Sequence, residues 1–359
     1  MMNKHIFNRK PEIYEFSLDS RYYKFRQKLN RSPWKVLYKG ILPKGIRKAI
    51  DYRIDLYQQE YVEKCWNRII EEYLRDKDTG KVEILSSGIV PKREIKNKKI
   101  IWQYWGTGWE EEKIPDIVRL CMKSVEKYSE GYTVIRLDDE NLGNYIELPE
   151  FIYKKKKSEK IPFAFFADIL RLALLNAYGG VWLDATILLT GHFSEEYMED
   201  EYFMFQRSLN VENRKYWEKQ NKDYFSWDNR HKVKVLNSII FSRKGNKVIK
   251  TLLDLLLMFW KKEDKVPHYF FFQILYTVLT DRYMQEFRCR IIDDTLPHIL
   301  FSKWNDRFNE EEYRELTERI NMHKLTYKMV EGKGCREGTF YDYFMKRGSM
   351  SRVGVKKVR

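Results

Sequence analysis

The 359-residue sequence predicts an α/β domain behind a helical N-terminal extension. Three observations carry the prediction. Short apolar runs, partly β-branched, recur at 99–104, 132–137, 181–183 and 237–242, as strands do. Longer apolar stretches at 114–128, at 163–178 and on to Trp260 lie between or after them, and such alternation marks a layered α/β fold. Residues 1–95 differ from the rest, with basic, aromatic and apolar residues alternating before a helical pattern at 52–74.

In that first region Trp34, Leu37, Tyr38 and Ile41 fall at helical spacing among Lys35, Lys39 and Lys44. The pattern suits either a basic amphipathic surface resting on an anionic membrane or a helical hairpin packed on the domain with its lysines solvated. Charged residues 92–99 read as a linker. The run Lys99-Ile-Ile-Trp-Gln-Tyr-Trp-Gly106 is a strand ending in aromatics and glycine. Trp102 and Trp105 are either both core residues or, at the strand end, a flat face for a ring ligand. Pro115 opens a helix over 114–128. The strand at 132–137 runs into Asp138 and Asp139, a pair that serves either as loop and cap residues or as metal ligands. Lys154 to Lys157 is either a solvated face or an entry lined for phosphates.

The organising stretch is 163–190. Its first half reads as a buried helix stopped by Gly179 and Gly180, and Val181 to Leu183 reads as a buried strand. Charged residues interrupt it: Asp168, Arg171 and Asp184. Asp168 and Arg171, three apart, share a helix face. Asp184 stands where the strand leaves the sheet, where open α/β sheets bind ligands. Either the first two neutralise each other and the third caps a turn, or the three form a site.

Residues 191–231 form an irregular segment of the length that lids and binding loops have, containing Gln206, Arg207, Trp227, Asp228 and Asn229. The strand at 237–242 precedes Gly245, Asn246 and a long helix. Pro267 to Gln273 opens another helix and carries His268, which is either structural or near a ligand. Residues 331–359 are a basic C-terminal tail, expected to be mobile from 345 onward.

Composition sets bounds. Hydrophobic residues make up 43%, enough for a packed core, and the net charge of +15 attracts phosphates in any form. No zinc finger, RNA-recognition signature or arginine-rich arm accompanies that charge, so nucleic acid is not the expected partner. Cys65, Cys121, Cys289 and Cys335 lie too far apart for a metal motif and read as free thiols in a reducing compartment. No apolar leader follows Met1 and no run is long enough to span a bilayer, so a cytoplasmic protein is expected.

The order Asp168-x-x-Arg171, Tyr178-Gly179-Gly180, Val181-Trp182-Leu183-Asp184 resembles the nucleotide-sugar core of glycosyltransferase family 32, and within it the capsular polysaccharide synthesis proteins of bacteria. The resemblance extends from Lys98 to Lys328. It implies a GT-A-type, Rossmann-like domain over 96–330, with Trp105 stacked on the nucleotide base and Asp168 and Arg171 gripping donor-sugar hydroxyls or phosphate. Asp138, Asp139 and Asn141 match the family's second strand-to-helix step, the segment after Asp184 faces the acceptor, and His268 or Gln273 lies near the donor. In Asn321 to Lys328, His323 and Lys324 reach the diphosphate, as a metal ligand and a point charge. The family's Asp-x-Asp appears here as Asp184-Ala185-Thr186, so the metal, expected to be Mn²⁺ or Mg²⁺, has Asp184, Thr186 and His323 as candidate ligands. The implied activity is retaining transfer of a hexose or N-acetylhexosamine from a UDP-sugar to a capsular or exopolysaccharide, with a lipid-linked acceptor at the inner face of the membrane. The alternatives are a UDP-sugar-binding protein without catalysis, suggested by the missing second Asp, and a glycosyltransferase acting on protein side chains.

Overall fold

In the computed structural model, residues 25, 28–29, 31–80, 85–328 and 337–350 are described. Cys335, the first residues of the N-terminal extension and residues 351–359 of the tail lie outside them. Besides a short antiparallel pair, Val90–Pro91 with Ile146–Glu147, the strands are β1 (Ile100–Tyr104), β2 (Thr133–Leu137), β3 (Gly180–Leu183), β4 (Ile187–Leu189), β5 (Tyr202–Phe203), β6 (Ile239–Ser242) and β7 (Met322–Lys324). Five of them form one mixed sheet in the order β2-β1-β3-β6-β5, and β4 pairs with β7 apart from it.

β1 is parallel to both β2 and β3, while β6 runs antiparallel to β3 and β5 to β6. Every residue of β1 and β3 is buried, as expected of central strands covered on both faces. Because β1, β2 and β3 are parallel, their carboxyl ends lie along one edge of the sheet. Trp105, Asp138 and Asp184 each follow one of those ends.

The main helices are α1 (Lys44–Asp78), α2 (Asp116–Tyr128), α3 (Glu150–Lys157), α4 (Phe163–Tyr178), α5 (Lys247–Lys262), α6 (Phe271–Val278) and α7 (Phe340–Met350). α2 crosses from β1 to parallel β2. α4 is buried along nearly its whole length and packs on α5. It ends at Gly179, with φ +74°, and Gly180, with φ +99°, lies so close to β1 that a Cβ would stand 2.5 Å from the Ile100 carbonyl oxygen. Only glycine allows this approach. The chain can thereby turn from helix into the middle of the sheet within two residues.

The two ends of the chain both pack on the domain in part. α1 does not stand apart: Val62, Trp66, Ile70 and Tyr73 belong to the same apolar cluster as Leu252, Phe259 and Phe271. The Trp66 ring lies 4.6 Å from that of Phe271, and Tyr73 donates to the buried Asp254 carboxylate at 2.9 Å. Of the two readings of the extension, packing on the domain holds for α1. Short of it, Trp34, Leu37 and Ile41 are exposed while Tyr38 is buried, its hydroxyl donating to Asp51 at 3.0 Å. The tail also docks in part. α7 buries Phe340 and Phe344 in a cluster with Trp304, stacking Phe344 on the Trp304 ring.

Candidate functional site

The site forms where β3 ends. Asp184 donates its backbone N–H to the Ser238 carbonyl (2.9 Å), and Ile187 N–H closes the turn onto Asp184 O (2.9 Å). The carboxylate is thereby fixed between α4, which supplies Asp168 and Arg171, and the β4–β7 pair. Its Oδ1 accepts from Trp182 Nε1 at 2.8 Å and faces Arg171 Nη2 at 3.4 Å. Its Oδ2 accepts from Lys324 Nζ at 3.0 Å. The same ammonium donates to Thr186 Oγ1 at 2.9 Å.

Arg171 is the hinge of the arrangement. Its Nη1 meets Asp168 Oδ1 at 3.0 Å and donates to the Asn237 carbonyl at 2.8 Å, and the guanidinium lies over the Trp182 ring. Asn237 extends the network: its amide donates to Asp168 Oδ1 at 2.9 Å and its side-chain oxygen accepts from Gln273 Nε2 at 3.1 Å. Two carboxylates and two cations thus meet with no net charge.

Electrostatics separates the two carboxylates. Burial lifts the Asp184 pKa, but the Lys324 and Arg171 charges outweigh it and bring it down to about 2. Burial lifts Asp168 as well, and Asp184 adds to the rise, so the Arg171 charge leaves it at about 6. One group is ionised at any physiological pH; the other titrates near neutrality.

Aromatic rings flank the site. Trp105 sits edge-on to Tyr327 (centroids 5.3 Å apart) and to Phe163 (6.1 Å). It packs against the cluster that contains Ala185. Tyr327 is 40% exposed and Phe163 46%, so this corner offers flat apolar surface to a planar ligand.

Asp168, Arg171, Asp184, Thr186 and Lys324 are brought together, with Trp105 along the same sheet edge. His323 is not. Neighbours in a strand point to opposite faces, so with Lys324 at the site His323 turns inward, where its Nε2 meets Thr190 Oγ1 at 2.9 Å. It is fully buried, and burial lowers its pKa to about 3. His268 faces Asp55 of α1 at 3.0 Å, whereas Gln273 joins the Asn237 network. Asp138 Oδ1 accepts from the N–H groups of Glu140 and Asn141 and caps its own turn. Asp139 is held by Tyr104 and Lys156, one of the four lysines. Arg207 makes a buried two-bond pair with Asp294 at 2.7 and 2.8 Å, a structural use. Asn237 opens the 237–242 run that the sequence marks as a strand, but it is not among the expected site residues; the strand itself begins at Ile239, which leaves Asn237 free to face the site.

The residues do not fit Mn²⁺ or Mg²⁺. Such hard cations take oxygen ligands and favour carboxylates. One Asp184 oxygen is held by Trp182 and Arg171, and the other shares an ammonium with Thr186. Asp168 is engaged with Arg171 and Asn237, and His323 faces away. Among the described residues no three His, Cys, Asp or Glu side chains form a group able to hold a metal.

A family described as "Capsular polysaccharide synthesis protein" matches residues 47–344. An O-glycosyltransferase, braB, of Annulohypoxylon truncatum is 23% identical over 190 residues, 50% of this chain and 41% of that protein. The O-glycosyltransferase PaGT of Phomopsis amygdali is 31% identical over 116 residues, 30% of this chain and 28% of its own length. The match thus spans less than half of each relative. The solved structure of the PaToxG glycosyltransferase aligns with a TM-score of 0.33 at 13% identity, covering 63% of this chain and 80% of that one.

Proposed function

The chain belongs to the family of capsular polysaccharide synthesis proteins, and on that premise we propose that it is a glycosyltransferase moving a hexose or N-acetylhexosamine from a UDP-sugar to a growing, lipid-linked polysaccharide, with retention of configuration. The observation that carries this reading is Asp184 at the carboxyl end of β3, held between Arg171 and Lys324. Trp105 stacks on the uracil ring. Asp168 and Asn237 hold the donor sugar by its hydroxyls, and Arg171 fixes the angle between them. In the transfer the bond from the anomeric carbon to the β-phosphate oxygen breaks, and its electron pair stays with the phosphate. The acceptor oxygen bonds to the anomeric carbon and its proton passes to the departing phosphate.

Exposed Trp34, Val36, Leu37 and Ile41 beside Lys35 and Lys39 support a peripheral contact with an anionic membrane, where a lipid-linked acceptor is found. Among the described residues no helix is long and apolar enough to cross one.

The test is UDP release from a panel of UDP-sugars, with calorimetric titration of each donor. Turnover of one donor that Asp184→Ala abolishes supports the reading. Donor binding with no release, even with membrane extract supplied as acceptor, favours the second reading, a donor-binding protein, which the missing second carboxylate suggests. Binding of no donor overturns both.

A further inference from the structure

The triplet at the end of β3 has a carboxylate at its first position, Asp184, and a hydroxyl at its third, Thr186. One ammonium bridges the two: Lys324 Nζ stands 3.0 Å from Asp184 Oδ2 and 2.9 Å from Thr186 Oγ1. Lys324 is not a surface lysine that happens to fold over. Its backbone lies in β7, paired with β4 so that Lys324 stands opposite Ile187, and the next residue, Leu325, donates its N–H to Thr186 O at 2.9 Å. The ammonium is therefore carried by β7 and the Thr186 hydroxyl by the residue just before β4, while Asp184 is held at the end of β3 through Ser238.

The charges agree with this placement. Asp168 and Asp184 are matched by Arg171 and Lys324. A carboxylate at position 186 would leave the group one negative charge in excess, a balance suited to a divalent cation. A threonine there accepts from the ammonium and adds no charge. Two of the three ammonium hydrogens go to Asp184 and Thr186, and the side chain is 22% exposed, so the third can meet an incoming phosphate oxygen.

Resting on the glycosyltransferase reading, we propose that the Lys324 ammonium takes the place of a divalent cation in this site and neutralises the donor's diphosphate directly, so that sugar transfer proceeds without a metal. When the bond to the anomeric carbon breaks, the electron pair left on the β-phosphate oxygen meets a fixed positive charge. Lys324 keeps its protons throughout; the proton of the acceptor hydroxyl goes to the departing phosphate. Positive charge held in place before the reaction needs no reorganisation during it.

The experiment measures binding of UDP, GDP, CDP and ADP to the full chain by calorimetry, in EDTA and in Mn²⁺, and follows Mn²⁺ itself by electron paramagnetic resonance without nucleotide. The wild-type chain should bind one nucleoside diphosphate with the same affinity, within about twofold, in EDTA and in Mn²⁺, and should leave the spectrum of free Mn²⁺ unchanged. Lys324→Ala should weaken binding in EDTA at least about tenfold, and Lys324→Arg should restore much of it. Thr186→Asp combined with Lys324→Ala should capture Mn²⁺ and bind the nucleotide only in its presence. Wild-type binding that appears only with Mn²⁺ overturns this inference and leaves the glycosyltransferase reading standing. Binding of no nucleoside diphosphate under either condition overturns both. The wild-type comparison needs no variant, so a variant that fails to fold does not blunt the test.

Discussion

Replacing Asp168 by Asn should make the protein more stable at alkaline pH while removing its activity. The carboxyl is buried, which lifts its pKa; Arg171 lowers it and Asp184 raises it, and the result is about 6 against 3.8 for a free side chain. A folded-state value above the unfolded one means that the native chain holds this proton more tightly. The stability it contributes is complete below the unfolded value and is lost as the pH rises through about 6. Keeping Asp168 ionised above that pH therefore costs about 3 kcal/mol. Asn has the same shape, and its amide oxygen can still accept from Arg171 and Asn237. Arg171 keeps Asp184 and the Asn237 carbonyl, so no buried cation is left alone. Urea denaturation of both proteins across pH reads the effect. The variant's advantage should roughly double from about pH 5 to about pH 8, where it corresponds to about 4 °C in melting temperature for a chain of this length. Sugar transfer should fall by about 10²-fold. A variant destabilised by several kcal/mol equally at both pH values would refute the reasoning, because the ionised Asp168–Arg171 pair would then be a net stabiliser.

Transfer by the wild-type chain should rise with pH through an inflection near 6 as Asp168 ionises, and a flat profile across that range would argue against a role for its charged form. Gly180→Ala should cost about 3 kcal/mol or more in a melting experiment, because the new Cβ meets the Ile100 backbone oxygen at 2.5 Å in a strained conformation. A melting temperature within a degree or so of the parent would mean that β1 and β3 can part there. Trp105→Ala should weaken nucleotide binding about tenfold with little effect on melting, and calorimetry showing unchanged affinity removes the stacking role. Trp66→Ala should cost about 3–5 kcal/mol, read by urea denaturation, since the ring is fully buried against Phe259 and Phe271; a cost below about 1 kcal/mol would return α1 to the status of an appendage.

The parts of the site that were legible in the sequence are local ones. Asp168, Arg171 and Asp184 interrupt an apolar stretch; helical spacing puts the first two on one face, the strand pattern puts the third at a strand end, and the family resemblance implies that the three share a site. Failures came where the structure joins distant segments. His323 and Lys324 are adjacent in sequence, and the pleat sends one inward and one to the site; nothing at that position tells which until β7 is paired with β4. Asn237 is 69 residues from the carboxylate it serves. The packing of α1 was one of two readings open in the sequence, and its buried polar residues are why the sequence did not decide between them. Asp55, Gln59 and Glu63 find partners in His268, His231 and Arg282, more than 170 residues away, and a buried polar residue with a distant partner looks like a solvated one.

The pairing of β4 with β7 also sets an order of events. Lys324 lies 140 residues beyond Asp184, and β7 is the last strand among the described residues. While the polypeptide is being made, the central sheet can assemble with Asp184 in place and no ammonium beside it. A nascent chain would present a negative pocket, which repels a sugar nucleotide. On the proposed reading, competence to hold the donor arrives only when β7 pairs with β4 and brings Lys324 to Asp184.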